Sequence, residues 1–368
     1  MIKVEYKDII AFHPGYYVKD IIEELEMNQC EFAKRLEITD KTLSKLLSGE
    51  APMSNEIAKK MSQMLGTSVE VWLELQKKYE DQCCQIEQLQ ELEKETKCLA
   101  DIDYSYFINL NVVAPTKDKN EKVQNLRKYL QVASLCTLGK PDLLAACKTS
   151  VPEVELKHVI NANAWIQTGI NFAKSMICEP FDEKKLKNSL MEIRQMTMQD
   201  FTVFYPQLKK MLAECGVALV ALPYLRNSGI NGAVKWLNND KVLLLINDRK
   251  KTADSFWFAL FHELKHILQN RKKAVYISYE HKSDSRLTLG ADDEESEKEA
   301  NQFAANFLLP PKQYQKFVTA GDFREEKVKR FAEEIGVNFS IIIGRLQHDG
   351  HVDWKDKLSG LKEQYVIG

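Results

Sequence analysis

The chain is 368 residues long, 44% hydrophobic and 28% charged, with a formal net charge of −2 at pH 7. That length exceeds one ordinary domain and argues for at least two. The composition excludes disorder as the default, and the near-neutral balance removes any whole-chain electrostatic case for nucleic acid. No apolar run approaches the roughly 20 residues that span a bilayer, and Met1 to Asp8 lack a signal-peptide core, so a cytoplasmic protein without a membrane partner is expected. The vicinal Cys83 and Cys84 are the only close pair among eight cysteines. They suit neither a disulfide framework nor a C-x-x-C knuckle, and the cysteines read as reduced thiols, mostly buried.

The first 80 residues read as short helices separated by polar turns. Asn28 to Leu36 is one amphipathic helix, Glu37 to Thr39 a tight turn, and Asp40 to Gly49 a second helix closed by glycine, which together make a helix-turn-helix. Lys and Arg number 11 against 14 Asp and Glu over residues 1–80, a local net of 11 − 14 = −3, so any DNA contact must come from a local patch. The first half of the second helix would enter the major groove, with Asp40, Lys41, Thr42, Ser44 and Lys45 facing bases or phosphates and Lys34 and Arg35 near phosphate. The alternative is a helix-turn-helix kept for dimerisation or partner docking.

Residues 80–99 are polar, glutamine-rich and helical, as suits a connecting helix that can also pair with a copy of itself. Residues 100–205 read as mainly helical, with breaks near Pro115, Pro141, Pro152 and Pro180, and carry no chemical constellation. After Gly216 the period changes. Residues 217–222 and 242–246 are strand-like, and 233–237 reads as the hairpin partner of the latter. Next comes a helix from about Thr252 to Leu268 that is apolar on nearly every face and therefore belongs in a core.

That helix carries His262, Glu263 and His266. Histidines four residues apart point to one side, one turn apart, and can grip one Zn²⁺. Glu263, about 100° around the helix from His262, is placed to act as the general base toward zinc-activated water. Burying two imidazoles and a carboxylate with no metal or hydrogen-bond network would be costly. A catalytic zinc needs a third protein ligand, and the later acidic helix offers one. Its apolar stripe runs through Ala300, Phe303, Ala304, Phe307 and Leu308. Glu297 falls on that stripe and is the chosen ligand, with Glu299 as the alternative; Asn301 is the partner for a ligand histidine. Asp292 to Glu295 read as a solvated helix N-terminus. His281 lies between the two motif helices, where an oxyanion role competes with that of an exposed loop histidine; His13, His158, His348 and His351 stay unassigned.

These residues carry two resemblances. Gly216 to Pro310, with Phe256 to His266 and Glu297, Ala300, Asn301, Phe303, Ala304, Leu308, Leu309 and Pro310, resembles the ImmA/IrrE family of metallopeptidases. Residues 12–79, from Phe12, His13, Pro14 and Gly15 through Glu31 to Leu36 and on to Trp72, Leu73, Leu75 and Gln76, resemble the HigA-type antitoxin helix-turn-helix of the XRE class. The first resemblance implies a zincin-like domain that cleaves a partner repressor, with His262 and His266 as the zinc pair, Glu263 as the base and Glu297 as the acidic ligand. The second implies a homodimer that binds its own operator DNA and neutralises a toxin. Ile341 to His348 also looks like the tail of such fused proteins.

The expected fold class is α+β, with an all-α helix-turn-helix domain (1–80), a helical connecting region (81–205), a zincin-like domain with a small sheet (206–320) and a C-terminal helical segment (321–368). The expected function is an operator-binding regulator joined to a zinc endopeptidase acting on a protein partner. The rivals are a non-catalytic antitoxin whose peptidase-like domain binds a toxin or signal, and a protease whose helix-turn-helix docks a repressor.

Overall fold

The computed structural model describes residues 2–140, 143, 156–248, 251–269, 275–279 and 291–365. His281 and the breaks expected at Pro141 and Pro152 lie outside them. The fold is α+β, in two compact units, Met1–Thr96 and Lys97–Gly368.

The first unit opens with a hairpin that the helical reading of residues 1–80 did not foresee: β1 (Lys3–Tyr6) pairs antiparallel with β2 (Ile9–Phe12). Four residues per strand are too few for the alternation to register in a sequence. There follow α1 (Pro14–Glu24), α2 (Gln29–Arg35), α3 (Asp40–Leu47), α4 (Asn55–Leu65) and the 32-residue α5 (Val69–Ala100). The helix starts are written locally. The side chains of Asn28, Thr39 and Ser54 accept from the N–H groups of Glu31, Thr42 and Ile57, each cap contributing about 1 kcal/mol. The helices then bury Val18, Phe32, Leu36, Leu43, Leu46, Ala58 and Met61 in one core.

The second unit continues from the end of α5 through α6 (Tyr104–Asn109), α7 (Lys119–Leu130), a 3-10 turn (Leu135–Gly139), α8 (Leu156–Ser175), α9 (Glu183–Gln195) and α10 (Phe201–Glu214). The sheet is built from β3 (Val217–Leu222), β4 (Ile230–Trp236), β5 (Val242–Asn247) and, after α11 (Ala253–Leu268), β6 (Val275–Tyr279), in the order β3-β5-β4-β6. β3 runs parallel to β5, and β4 antiparallel to both β5 and β6. β3 and β5 are continuous apolar runs because both faces are covered. Val242, Leu244 and Ile246 share a core with Trp257, Leu260, Phe261 and Leu264 of α11. Leu245 faces α8, where Gly169 offers a bare surface that a Cβ would contest. Helices α12 (Ala291–Leu308), α13 (Pro311–Ala320), α14 (Glu325–Ile335) and α15 (Phe339–His348) complete the unit.

The two compact units meet between Thr96 and Lys97, inside α5, rather than at residue 80. Residue 205 lies inside α10, and α8 and α10 help cover the sheet and so belong to the unit that contains it. The C-terminal segment returns to α11: Ala253 N donates to Glu363 O at 2.9 Å, Tyr365 N to Lys251 O at 2.7 Å, and Trp257 Nε1 to Tyr365 Oη at 2.9 Å. The cysteines are not mostly buried either. Among the described residues Cys215 is buried, while Cys30, Cys84 and Cys136 are exposed and Cys83, Cys98 and Cys178 half-buried.

One buried cation holds α12 in place. Arg194, 7% exposed, donates through Nε to Phe307 O at 2.9 Å and through Nη2 to Leu308 O and Ile335 O, both at 3.0 Å. These carbonyls end α12 and α14 and have no partner within their own helices, so the guanidinium satisfies them and meets the negative ends of two helix dipoles. Arg194→Met is expected to cost about 2–4 kcal/mol in urea unfolding of the second unit, the penalty for leaving buried carbonyls unpaired; an unchanged midpoint would show that water replaces the guanidinium freely.

Candidate metal centre

The depth of α11 follows from its composition. Phe256, Trp257, Leu260, Phe261, Leu264 and Ile267 are buried, and the stripe they leave carries His262, 4% exposed, and His266, 0% exposed. One turn apart, the rings lie 4.7 Å between centroids with their Nε2 atoms 3.0 Å apart. α12 crosses this stripe on small residues, Ala300 and Ala304, both fully buried, so the two helices approach closely. That brings Glu297 Oε1 to 3.0 Å from His266 Nε2 and Oε2 to 3.3 Å from His262 Nε2. One potential ligand atom from each of the three residues lies within 4.8 Å of the others. Glu299 is on the rim instead, 55% exposed, with Oε2 3.5 Å from Lys265 Nζ.

The far side of each ring decides what the near side presents. His262 Nδ1 lies 3.1 Å from Asn301 Oδ1, and His266 Nδ1 lies 3.0 Å from Gln269 Oε1. The Gln269 amide is oriented by Ser296, whose hydroxyl donates to Oε1 at 2.6 Å while its backbone carbonyl accepts from Nε2 at 3.3 Å. A carbonyl can only accept, so Oε1 must face the imidazole, and His266 must carry its proton on Nδ1. With Asn301 acting likewise on His262, two Nε2 lone pairs and a carboxylate converge on one point.

Three electron-pair donors at this spacing repel one another unless a positive charge lies between them. Burial pushes the His266 pKa down, yet contact with Glu297 and the charge of Glu263 outweigh it and raise it above the usual imidazole range. Burial pushes the Glu297 carboxyl up, but the two imidazoles more than reverse this and hold it at about 2. Glu297 Oε1 is nonetheless buried without an aligned hydrogen bond. Two imidazoles and one carboxylate are the donor set of a catalytic Zn²⁺ site, with a coordination position left over, so the residues fit such an ion. Glu263 is fully buried beside them. Its carboxylate lies against the backbone of β4 at Gly232, where any Cβ would collide with it.

Neither Gln269 nor Ser296 stands out in the sequence. Gln269 ends an apolar helix three residues past His266, and Ser296 sits within an acidic run; only the crossing of α11 and α12 joins them. A cavity of about 720 Å³ continues from Asn301 along α11, walled by Phe258, Gln302, Asn306, Asn231 and Asn247 among others.

In the first unit Lys34, Arg35, Asp40, Lys41, Ser44 and Lys45 are exposed. Thr42 is half-buried, its hydroxyl 2.8 Å from that of Thr39, so it closes the start of α3. Arg35 is paired with Glu31 on its own helix.

Replacing Gln269 with Leu should weaken zinc binding about tenfold in a chelator competition. Gln269→Glu, which keeps an acceptor toward the ring, should retain most of the affinity. An unchanged affinity in the Leu variant would show that the ring needs no such partner. Because protons compete for the same lone pairs, wild-type affinity should fall as pH drops through the raised pKa of His266.

Two family models match the chain: a helix-turn-helix over residues 18–72 and an IrrE N-terminal-like domain of the M78 peptidases over residues 227–347. The uncharacterized HTH-type transcriptional regulator YddM of Escherichia coli (strain K12) is 40% identical over 63 residues, 17% of this chain and 67% of YddM. Virulence-associated protein A' of Dichelobacter nodosus is 38% identical over 69 residues, 18% of this chain and 60% of that protein. A crystal structure described as an antidote protein of a plasmid maintenance system from Nostoc punctiforme is 27% identical, covering 23% of this chain and 92% of that one, with a TM-score of 0.22. Through its N-terminal residues the chain belongs to the helix-turn-helix family of HTH-type regulators, and it carries in the same polypeptide a domain of the M78 peptidase family.

Proposed function

We propose that this chain is a transcriptional regulator that binds operator DNA through its helix-turn-helix and cleaves a protein partner, such as a repressor, through a zinc-dependent endopeptidase site. The observation that carries the reading is the convergence of His262 Nε2, His266 Nε2 and the Glu297 carboxylate, all within 3.3 Å of one another. These three residues would hold the ion, with Asn301 and Gln269 keeping the two rings in the required tautomer. When bound, Zn²⁺ supplies Lewis acidity toward a water and a scissile carbonyl. Glu263 takes a proton at its carboxylate and returns it to the leaving amine; its seat against Gly232 keeps it dry and fixed. The adjoining cavity is lined by the carboxamides of Asn231, Asn247, Asn301, Gln302 and Asn306, a side-chain type that carries both donors and an acceptor. That chemistry suits an extended peptide backbone.

For DNA, exposed Lys41, Ser44 and Lys45 on α3 are the residues to meet bases or phosphates, with Lys34 and Arg35 toward phosphate and Asp40 and Thr42 at the first turn. The name of the relative YddM, an HTH-type transcriptional regulator, supports this assignment. A homodimer paired through the glutamine-rich stretch of α5 would present two such helices to a two-fold operator. Among the described residues no helix is long and apolar enough to cross a membrane.

Glu263→Gln should keep about one zinc per chain and lose cleavage of the co-expressed partner by at least a hundredfold, while His262→Ala should lose the metal. Undiminished cleavage in Glu263→Gln would remove Glu263 as the base; zinc-loaded wild type that holds its partner intact would favour the non-catalytic antitoxin. Lys41→Ala combined with Lys45→Ala should weaken binding to the chain's own promoter DNA and reduce the salt slope by about 2. A wild type that shifts no DNA from that region would end the operator assignment.

A further inference from the structure

Away from the metal centre, two thiols face each other across a fixed gap in the second unit. Cys98, in the last turn of α5, and Cys136, in the 3-10 turn at Leu135–Gly139, lie with their sulfurs 2.7 Å apart. Both segments are tied down from behind. Leu99, Ile102, Leu135 and Leu138 are buried. Two buried carboxamides of α8 hold the flanking backbone: Asn161 Nδ2 donates to Asp101 O at 2.8 Å, and Asn163 Nδ2 to Leu138 O at 2.8 Å and to Lys140 O at 3.0 Å. The sulfurs are thus kept within van der Waals contact by groups that have no part in the metal centre. The gap left to close is about 0.7 Å, from 2.7 Å to the ~2.05 Å of a bond. Cys136 is exposed and Cys98 half-buried, so an oxidant in water meets Cys136 first.

We propose that Cys98 and Cys136 form a reversible dithiol–disulfide couple that takes a peroxide as its oxidant. The Cys136 thiolate attacks one peroxide oxygen and the O–O bond breaks. This leaves a sulfenic acid on Cys136 and, from hydrogen peroxide, hydroxide that is protonated to water. The Cys98 thiolate then attacks the Cys136 sulfur and displaces its hydroxide, which leaves as a second water. Two thiols have lost two protons and two electrons, and one peroxide has become two waters. The new bond staples the end of α5 to the turn that packs under α8, closing a loop across 38 positions of sequence. A loop of that length removes enough unfolded-state freedom to raise the melting temperature by about 5–10 °C.

The test is peroxide titration of the full-length protein under native conditions, followed by alkylation, digestion without reductant and mass spectrometry. The expected result is a Cys98–Cys136 linked peptide at one equivalent of hydrogen peroxide, with alkylation of Cys98 falling at least tenfold, reversal by dithiothreitol and the rise in melting temperature. C98S and C136S should each lack the link while keeping the melting temperature of the reduced wild type. The proposal is overturned if Cys136 proceeds to sulfinic acid with Cys98 still open to alkylation, or if the linkage found is Cys83–Cys84 or a bridge between two chains.

Discussion

Electrostatic repulsion among three lone-pair donors governs the half of this molecule that carries the M78 peptidase-family domain. His262, His266 and Glu297 would not stay together in a buried setting without a positive charge among them, and a proton is a poor substitute because it can bridge only one pair at a time. The surrounding structure keeps the three in place. Packing of α11 on the sheet fixes the two imidazoles, the small residues of α12 let Glu297 approach, Arg194 ties down the far end of α12, and the Ser296–Gln269 pair stops His266 from turning its other nitrogen inward. Each of these contacts lowers the entropy that the donors would otherwise lose on taking up an ion.

The helix-turn-helix unit follows a different logic, that of short-range capping. Its starts are set by Asn28, Thr39 and Ser54, and its core is small and continuous. Because residues 1–80 are net acidic, any grip on DNA falls to a few exposed cations on α2 and α3. One of these, Arg35, is already paired with Glu31. So few cations would give only modest intrinsic affinity for DNA, which the proposed pairing of two copies would offset.

Much of this was legible from residue spacing. The interval from His262 to His266 placed both rings on one helical stripe, and the position of Glu297 three residues before Ala300 put it on the inward face of the next motif helix, ahead of Glu299. Strands β3, β4 and β5 followed from runs of branched residues, and the pairing of β4 with β5 from the Asn238, Asn239 and Asp240 turn. What stayed hidden was tertiary. The four-residue strands at the N-terminus were too short to show a period. Residues 81–205 gave no sign that α8 would cover the sheet, because a helix buried all round looks the same whichever neighbour buries it. The roles of Gln269, Ser296 and Arg194 exist only where two or three distant segments cross. The described cysteines are free, as expected, but most lie at or near the surface, because the burial of a single thiol leaves no periodic trace in the sequence; nor does spacing along the chain reveal that Cys98 and Cys136 meet across 38 positions.

X-ray absorption at the zinc edge of the purified, zinc-loaded chain reads the donor set itself. The expected spectrum shows about one zinc per chain with two imidazole nitrogens at ~2.0–2.1 Å, carboxylate oxygen at ~2.0–2.2 Å and no sulfur in the shell. A thiolate at ~2.3 Å, or a shell that survives unaltered in Glu297→Ala, would contradict it.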